Sequence, residues 1–79
     1  FLARVHPDDA PALAATVRRA LAARAASWSH EFRIVTPAGA ERTLVSRAEV
    51  RLDASGEPAA MHGTDQDVTE QRRLESELR

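Results

Sequence analysis

Residues 63–79 read GTDQDVTEQRRLESELR, and the change of character inside that stretch decides how the rest of the chain is arranged. The first half, up to Asp67, alternates as a strand does, whereas the second is a charged run carrying Leu74 and Leu78 four positions apart. Asp67 precedes Glu70 by three positions, an Asp variant of the capping box that satisfies free N–H groups at a helix start. Thr69 offers a second capping register. Gln71, Leu74 and Leu78 fit the a, d and next a positions of a heptad. Glu75 and Arg79 form a well-oriented i,i+4 pair on the solvated side. A helix this short is not stable alone in water, so it docks on something or continues into a longer coil.

Working back from this exit, two further stretches alternate with period two. In residues 27–36, SWSHEFRIVT, one face carries Trp28, His30, Phe32 and Ile34, and the other Ser29, Glu31, Arg33 and Val35. In residues 42–52, RTLVSRAEVRL, Leu44, Ser46, Ala48, Val50 and Leu52 alternate with Thr43, Val45, Arg47, Glu49 and Arg51. The intervening TPAGAE supplies Pro and Gly for a turn, so the two strands form a hairpin with one apolar and one charged face. DASGEP is the second turn, and residues 59–67 form a third strand, poor in β-branched residues.

Before the strands, HPDDAPALAATVRRALAARAA (residues 6–26) has helical period. Leu13, Val17 and Leu21 recur every four residues beside Ala10, Ala14 and Ala20, making one apolar stripe with small flanks. Pro11 is tolerated only in a first turn, so the spacing predicts a helix beginning near Asp8 or Asp9, with an Asp as its cap. The order is helix, strand, strand, strand, helix, an α+β arrangement whose strands form an antiparallel meander.

At 79 residues the chain is one domain at most and marginal in the surface it can bury. There is no Cys, so no disulfide reinforces it, and His6, His30 and His62 lack the close spacing of a structural zinc motif. A partner chain is the expected reinforcement. A net charge of −1 does not point to nucleic acid. No apolar run approaches the roughly 20 residues that span a bilayer, and the opening FLARVHPDD does not read as a signal peptide.

With these residues in view, the chain resembles the C-terminal two-thirds of a PAS domain carrying a PAC motif. VHPDDAPALAATVRRAL matches the long helix, and EFRIVTPAGAERTLVSRAEVRLDASGEP the next two strands. MHGTDQDVTEQRRLESELR matches the last strand and its exit. The Gly-Thr…Asp-Val-Thr-Glu run is the most specific piece. The resemblance implies strands 3, 4 and 5 of a sheet ordered 2-1-5-4-3, with strands 1 and 2 absent. It therefore implies an open edge along residues 59–67 and a homodimer that completes the sheet, covers its apolar face, or packs through Leu74 and Leu78.

The resemblance also implies a role: a sensory or dimerisation module of a bacterial-type, cytoplasmic signalling protein, with no catalysis of its own. Residues 68–79 would lead to an output domain such as a histidine kinase or cyclic-dinucleotide enzyme. Asp67, Val68 and Thr69 would be the joint that passes the signal on. The alternative is a small-molecule or cofactor sensor, its pocket lined by Trp28, His30, Phe32, Leu44, Val50 and Met61. Read from the residues, those side chains are foremost ordinary core. No bound cofactor or metal is expected. His6 reads as a turn residue, His30 as a hydrogen-bonded core histidine, and Asp65 and Asp67 as capping groups, not an acid–base pair.

Overall fold

The computed structural model describes residues 4–78. Its elements are helix α1 (Ala10–Ala22), strands β1 (Ser27–Val35), β2 (Glu41–Leu52) and β3 (Pro58–Asp67), and helix α2 (Thr69–Glu77). The strands form one antiparallel sheet in the order β1-β2-β3. The α+β meander expected from the alternating stretches is therefore the observed architecture. No helix among the described residues is long and apolar enough to cross a membrane.

Register follows from which side chains can be buried. Three rows cross the sheet on its inner face: Phe32–Leu44–Asp67, His30–Ser46–Asp65 and Trp28–Ala48–Gly63. Phe32, Ser46, Ala48 and Val50 are buried on that face, while all of β3 is exposed. α1 lies over the β1 side only. Leu13 meets Phe32 and Val5 in a small core, with Ala10, Val17, Trp28, Ile34 and Leu44 around it. The molecule measures 48 × 26 × 17 Å with a radius of gyration of 14.6 Å. A compact chain of this length would have a radius of about 12 Å, so the fold is an open slab with β3 uncovered.

The start of α1 differs from the capping expectation. The helix begins at Ala10, and Asp9 stands at its cap position without a side-chain bond to the helix. Its carboxylate turns instead to β1. Oδ2 accepts from the Arg33 backbone N–H at 2.8 Å and from Nε at 2.9 Å, and Oδ1 accepts from a terminal guanidinium nitrogen at 2.8 Å. A guanidinium fork offers a carboxylate two parallel charge-assisted bonds, and a lone helix N–H cannot compete with that. Asp8 does not cap either; its own N–H donates to His6 Nδ1 at 3.1 Å, and His6 serves as the turn residue. The His6 N–H donates to the Arg33 carbonyl at 2.8 Å, and Val5 bridges to Ile34. The lead-in thus occupies backbone groups along the free edge of β1, which would otherwise be open to pairing.

The far end of α1 is also tied. The helix stops at Ala22, short of the run's end, because Arg24 adopts a left-handed conformation with φ 53°. Arg24 then reaches the β2–β3 turn, donating through Nε to the Gly56 carbonyl at 3.0 Å and pairing with Glu57. In that turn Asp53 Oδ1 accepts from the N–H groups of Ser55 and Glu57 at 2.9 and 3.0 Å.

Leu13 is 1% exposed and seals the small core. Leu13→Ala is expected to lower unfolding free energy by about 2–5 kcal/mol, a large part of what a domain this small possesses. Urea denaturation checks this, and a loss below about 1 kcal/mol would show that α1 does not close the core.

Candidate functional site

Two places concentrate side-chain chemistry: the joint between β3 and α2, and the inner sheet face that α1 leaves open.

The joint is built from residues 67–69 folding back onto β2. Asp67 Oδ1 accepts from the Thr69 N–H at 2.9 Å and from its hydroxyl at 2.6 Å, and Oδ2 accepts from Arg42 Nε at 2.9 Å. Thr69 Oγ1 in turn accepts from the Thr43 N–H at 2.8 Å, and the Val68 N–H donates to the Thr43 carbonyl at 2.8 Å. Val68 and Thr69 are both buried. The capping-box expectation needs correction on two points. Val68, not Asp67, holds the cap position, and Glu70 pairs with Arg73 instead of reaching back. Burying Val68 moves the helix start one residue on, so Asp67 holds only the first N–H. Thr69 is not a rival cap, because its hydroxyl is spent on Thr43 and Asp67.

From this anchor α2 runs outward. Arg72 pairs with Glu31 of β1 at 2.8 Å and with Glu75 at 3.0 Å, which fixes the first turns of the helix. Leu74 and Leu78 are exposed, Leu78 at 88%, so they contribute nothing to the core of the chain itself. The Glu75–Arg79 pair reaches beyond the described residues. The Leu44 and Phe32 expected to line a pocket are instead core beneath α1, and Val50 is buried on β2.

The inner face holds the second constellation. His30 Nδ1 and Thr16 Oγ1 lie 2.9 Å apart, joining β1 to α1. Ser46 Oγ donates to Asp65 Oδ1, so Asp65 is not a helix cap. Trp28 Nε1 donates to Met61 Sδ at 3.2 Å. A cavity of about 200 Å³ lies here, lined by Trp28, Ser46, Ala48, Met61, Gly63 and Asp65 together with the Arg47 position. Of the pocket lining expected from sequence, only Trp28 and Met61 border it. Ser46, Gly63 and Asp65 were not expected there, and only the cross-strand register brings them together. A broader trough of about 620 Å³ occupies the opposite face, where Ser29, Arg47 and Thr64 form a polar row. His62 is on that side, across from Glu49, and the three histidines remain apart. Among the described residues no group of three His, Cys, Asp or Glu is placed to hold a metal ion.

Electrostatics separate the carboxylates. Asp9 is lowered from 3.8 to about 2, chiefly by the Arg33 side-chain hydrogen bonds. Asp67 is lowered from 3.8 to about 2, first by the Thr69 hydroxyl and then by Arg42. A depressed carboxyl stabilises the fold above its unfolded value and loses that contribution as pH falls through its folded value. Stability is therefore expected to drain between about pH 4 and about pH 2, and Asp9→Asn and Asp67→Asn should each flatten that slope. Urea midpoints measured across this range test it; identical slopes in the parent and both variants would disprove the assignment.

Comparison with known proteins bears on the whole chain. The family model described as "PAS fold" matches residues 1–65. A sensory box histidine kinase/response regulator structure from Burkholderia thailandensis E264 superposes with a TM-score of 0.82 at 33% identity, over 95% of this chain and 56% of that one. The PAS domain of a GGDEF family protein from Chromobacterium violaceum ATCC 12472 is 38% identical, with a TM-score of 0.52, over 86% of this chain and 62% of that one. An RNA-binding light-oxygen-voltage receptor, at 21% identity and a TM-score of 0.74, shares the fold over 89% of this chain and 19% of its own. The chain thus spans less than two-thirds of each of these structures. Comparison with curated protein sequences gave no match.

Proposed function

The chain belongs to the PAS fold family, and on that premise we propose that it is a sensory signal-transduction module that relays a change in its sheet to the helix leaving it. The observation that carries this reading is the joint. Asp67 binds Arg42 of β2 with one oxygen and the first N–H of α2 with the other, while Thr69 binds back to Thr43. A displacement of β2 is therefore passed to the base of α2 through hydrogen bonds, without a flexible linker between them.

In this reading residues 68–79 are the PAC-type exit that leads to an output domain, and any catalysis belongs to that domain. Relatives at 33% and 38% identity come from a histidine kinase/response regulator and a GGDEF protein, which supports a bacterial-type signalling parent acting in the cytoplasm. The exposed Leu74 and Leu78 suit a homodimer through a coil.

Two measurements test the reading. In the full signalling protein, Asp67→Ala is expected to change the ratio of stimulated to unstimulated output several-fold; an unaltered ratio would sink the relay. Native mass spectrometry of the chain should show a dimer that becomes monomeric when Leu74 and Leu78 are both changed to Asp. A parent chain already monomeric would remove the dimer from the proposal.

A further inference from the structure

Arg24 stands where a helix end usually places a glycine. Among the described residues it is the one non-glycine with a positive φ, 53°. The Arg24 N–H donates to the Leu21 carbonyl at 3.2 Å and the Ala25 N–H to the Ala20 carbonyl at 2.9 Å, the paired closure of a Schellman helix end. The left-handed position of that motif favours Gly, because a Cβ is strained there. Arg brings the strain together with a side chain that Gly lacks. A backbone outlier of this kind directs attention to what its side chain does.

The guanidinium reaches the β2–β3 turn, where Nε donates to the Gly56 carbonyl at 3.0 Å and a terminal nitrogen pairs with the Glu57 carboxylate. That turn is a closed unit. The Asp53 N–H donates to the Glu57 carbonyl at 2.8 Å, the Gly56 N–H donates to the Asp53 carbonyl at 3.0 Å, and Asp53 Oδ1 takes the N–H groups of Ser55 and Glu57. A hold on Gly56 and Glu57 therefore carries the whole turn. Pairing beyond it is irregular: Leu52 faces Pro58 and Arg51 faces Ala60, so Ala59 stands outside the ladder. Pro58 has no N–H to give, and every residue of β3 is exposed, so neither the ladder nor burial fixes where the strand starts. The side chains of Arg24 and Glu57 are 50% and 57% exposed, and an ion pair so open to water adds little stability. What the clasp contributes is position.

From this clasp β3 runs to Asp67, which binds Arg42 and the first N–H of α2. The exit strand is thus tethered at its start to the end of α1 and at its finish to the base of α2. α1 is itself pinned to β1 by Asp9 and by Leu13 against Phe32, so the two elements move as one body. We propose that Arg24 is a positioning residue of the relay, setting the start of β3 against the end of α1 so that a displacement of the α1–β1 body is delivered along β3 to Asp67. This route joins helix and exit strand directly, beside the one that crosses the sheet through β2. The proposal rests on the relay reading above and adds the contact that feeds it.

Two variants separate position from stability. Arg24→Gly removes the clasp and keeps the left-handed turn, so its urea midpoint is expected to stay close to the parent's, the relief of strain offsetting the lost bonds. Glu57→Ala removes the partner and leaves Arg24 in place. In the full signalling protein each is expected to change the ratio of stimulated to unstimulated output several-fold. Amide hydrogen exchange at residues 60–62 is expected to rise several-fold in Arg24→Gly, with exchange in β1 as in the parent. An output ratio unaltered in folded Arg24→Gly would overturn the proposal, and so would a ratio that responds to Arg24→Gly but not to Glu57→Ala. A urea midpoint well below the parent's in Arg24→Gly would make the clasp a structural tie and overturn it too. Should both variants leave output unaltered while Asp67→Ala changes it, the relay stands and the clasp lies outside it; silence of Asp67→Ala as well would mean that the relay itself has failed.

Discussion

The grip of Asp9 on Arg33 is the constraint on which the rest of this slab depends. The apolar core beneath α1 is small, centred on Leu13, Phe32 and Val5, and it covers only the β1 side of the sheet. Hydrophobic contact of that extent has no strong directional preference. The carboxylate supplies one, binding both the backbone and the guanidinium of Arg33 and so fixing where along β1 the helix begins. His6 and Val5 then occupy neighbouring backbone groups on the same edge. An edge strand, a helix start and the core seal are all set by a single tripartite contact.

The same device recurs at the other end of the chain. Asp67 stands to Arg42 and Thr69 much as Asp9 stands to Arg33: a carboxylate beside a helix start that answers an arginine on the sheet. The difference lies in what is attached. Behind Asp9 the helix is packed along its length, whereas behind Asp67 only the base of the helix is buried and the leucines beyond it face outward. One joint closes the fold. The other leaves a helix standing clear of the core, and the short path from Arg42 and Thr43 to residue 69 makes the sheet and that helix mechanically continuous.

Much of this was legible in the order of residues. Trp28, His30, Phe32 and Ile34 alternate with polar neighbours, and that period alone places β1 and its inner face; Leu44 to Leu52 do the same for β2. Asp9 was misread, because local pattern favours an acid before a helix as a cap, and nothing nearby in sequence reveals that Arg33, 24 residues on, competes for it, whereas Asp67 does hold the first N–H of α2. Asp65 shows the same limit from the other side. Its spacing from Asp67 is plain, but its partnership with Ser46 and its place in the row of His30 come from strand register, which a single alternating stretch does not specify. β3 was the hardest element to read, since a strand exposed on both faces has no burial pattern to write into its sequence.

The tether at the end of α1 has a mechanical meaning of its own. Arg24, turned into the left-handed region, clasps the β2–β3 turn at Gly56 and Glu57, while Asp9 pins the opposite end of the helix to β1. A rod held at both ends on one sheet cannot slide along its axis without breaking a charged contact, and a slide would pull the two ends in the same direction. Rotation about that axis is opposed as well, by Leu13 seated against Phe32 and by Thr16 held to His30, so the helix is fixed on β1 in both senses.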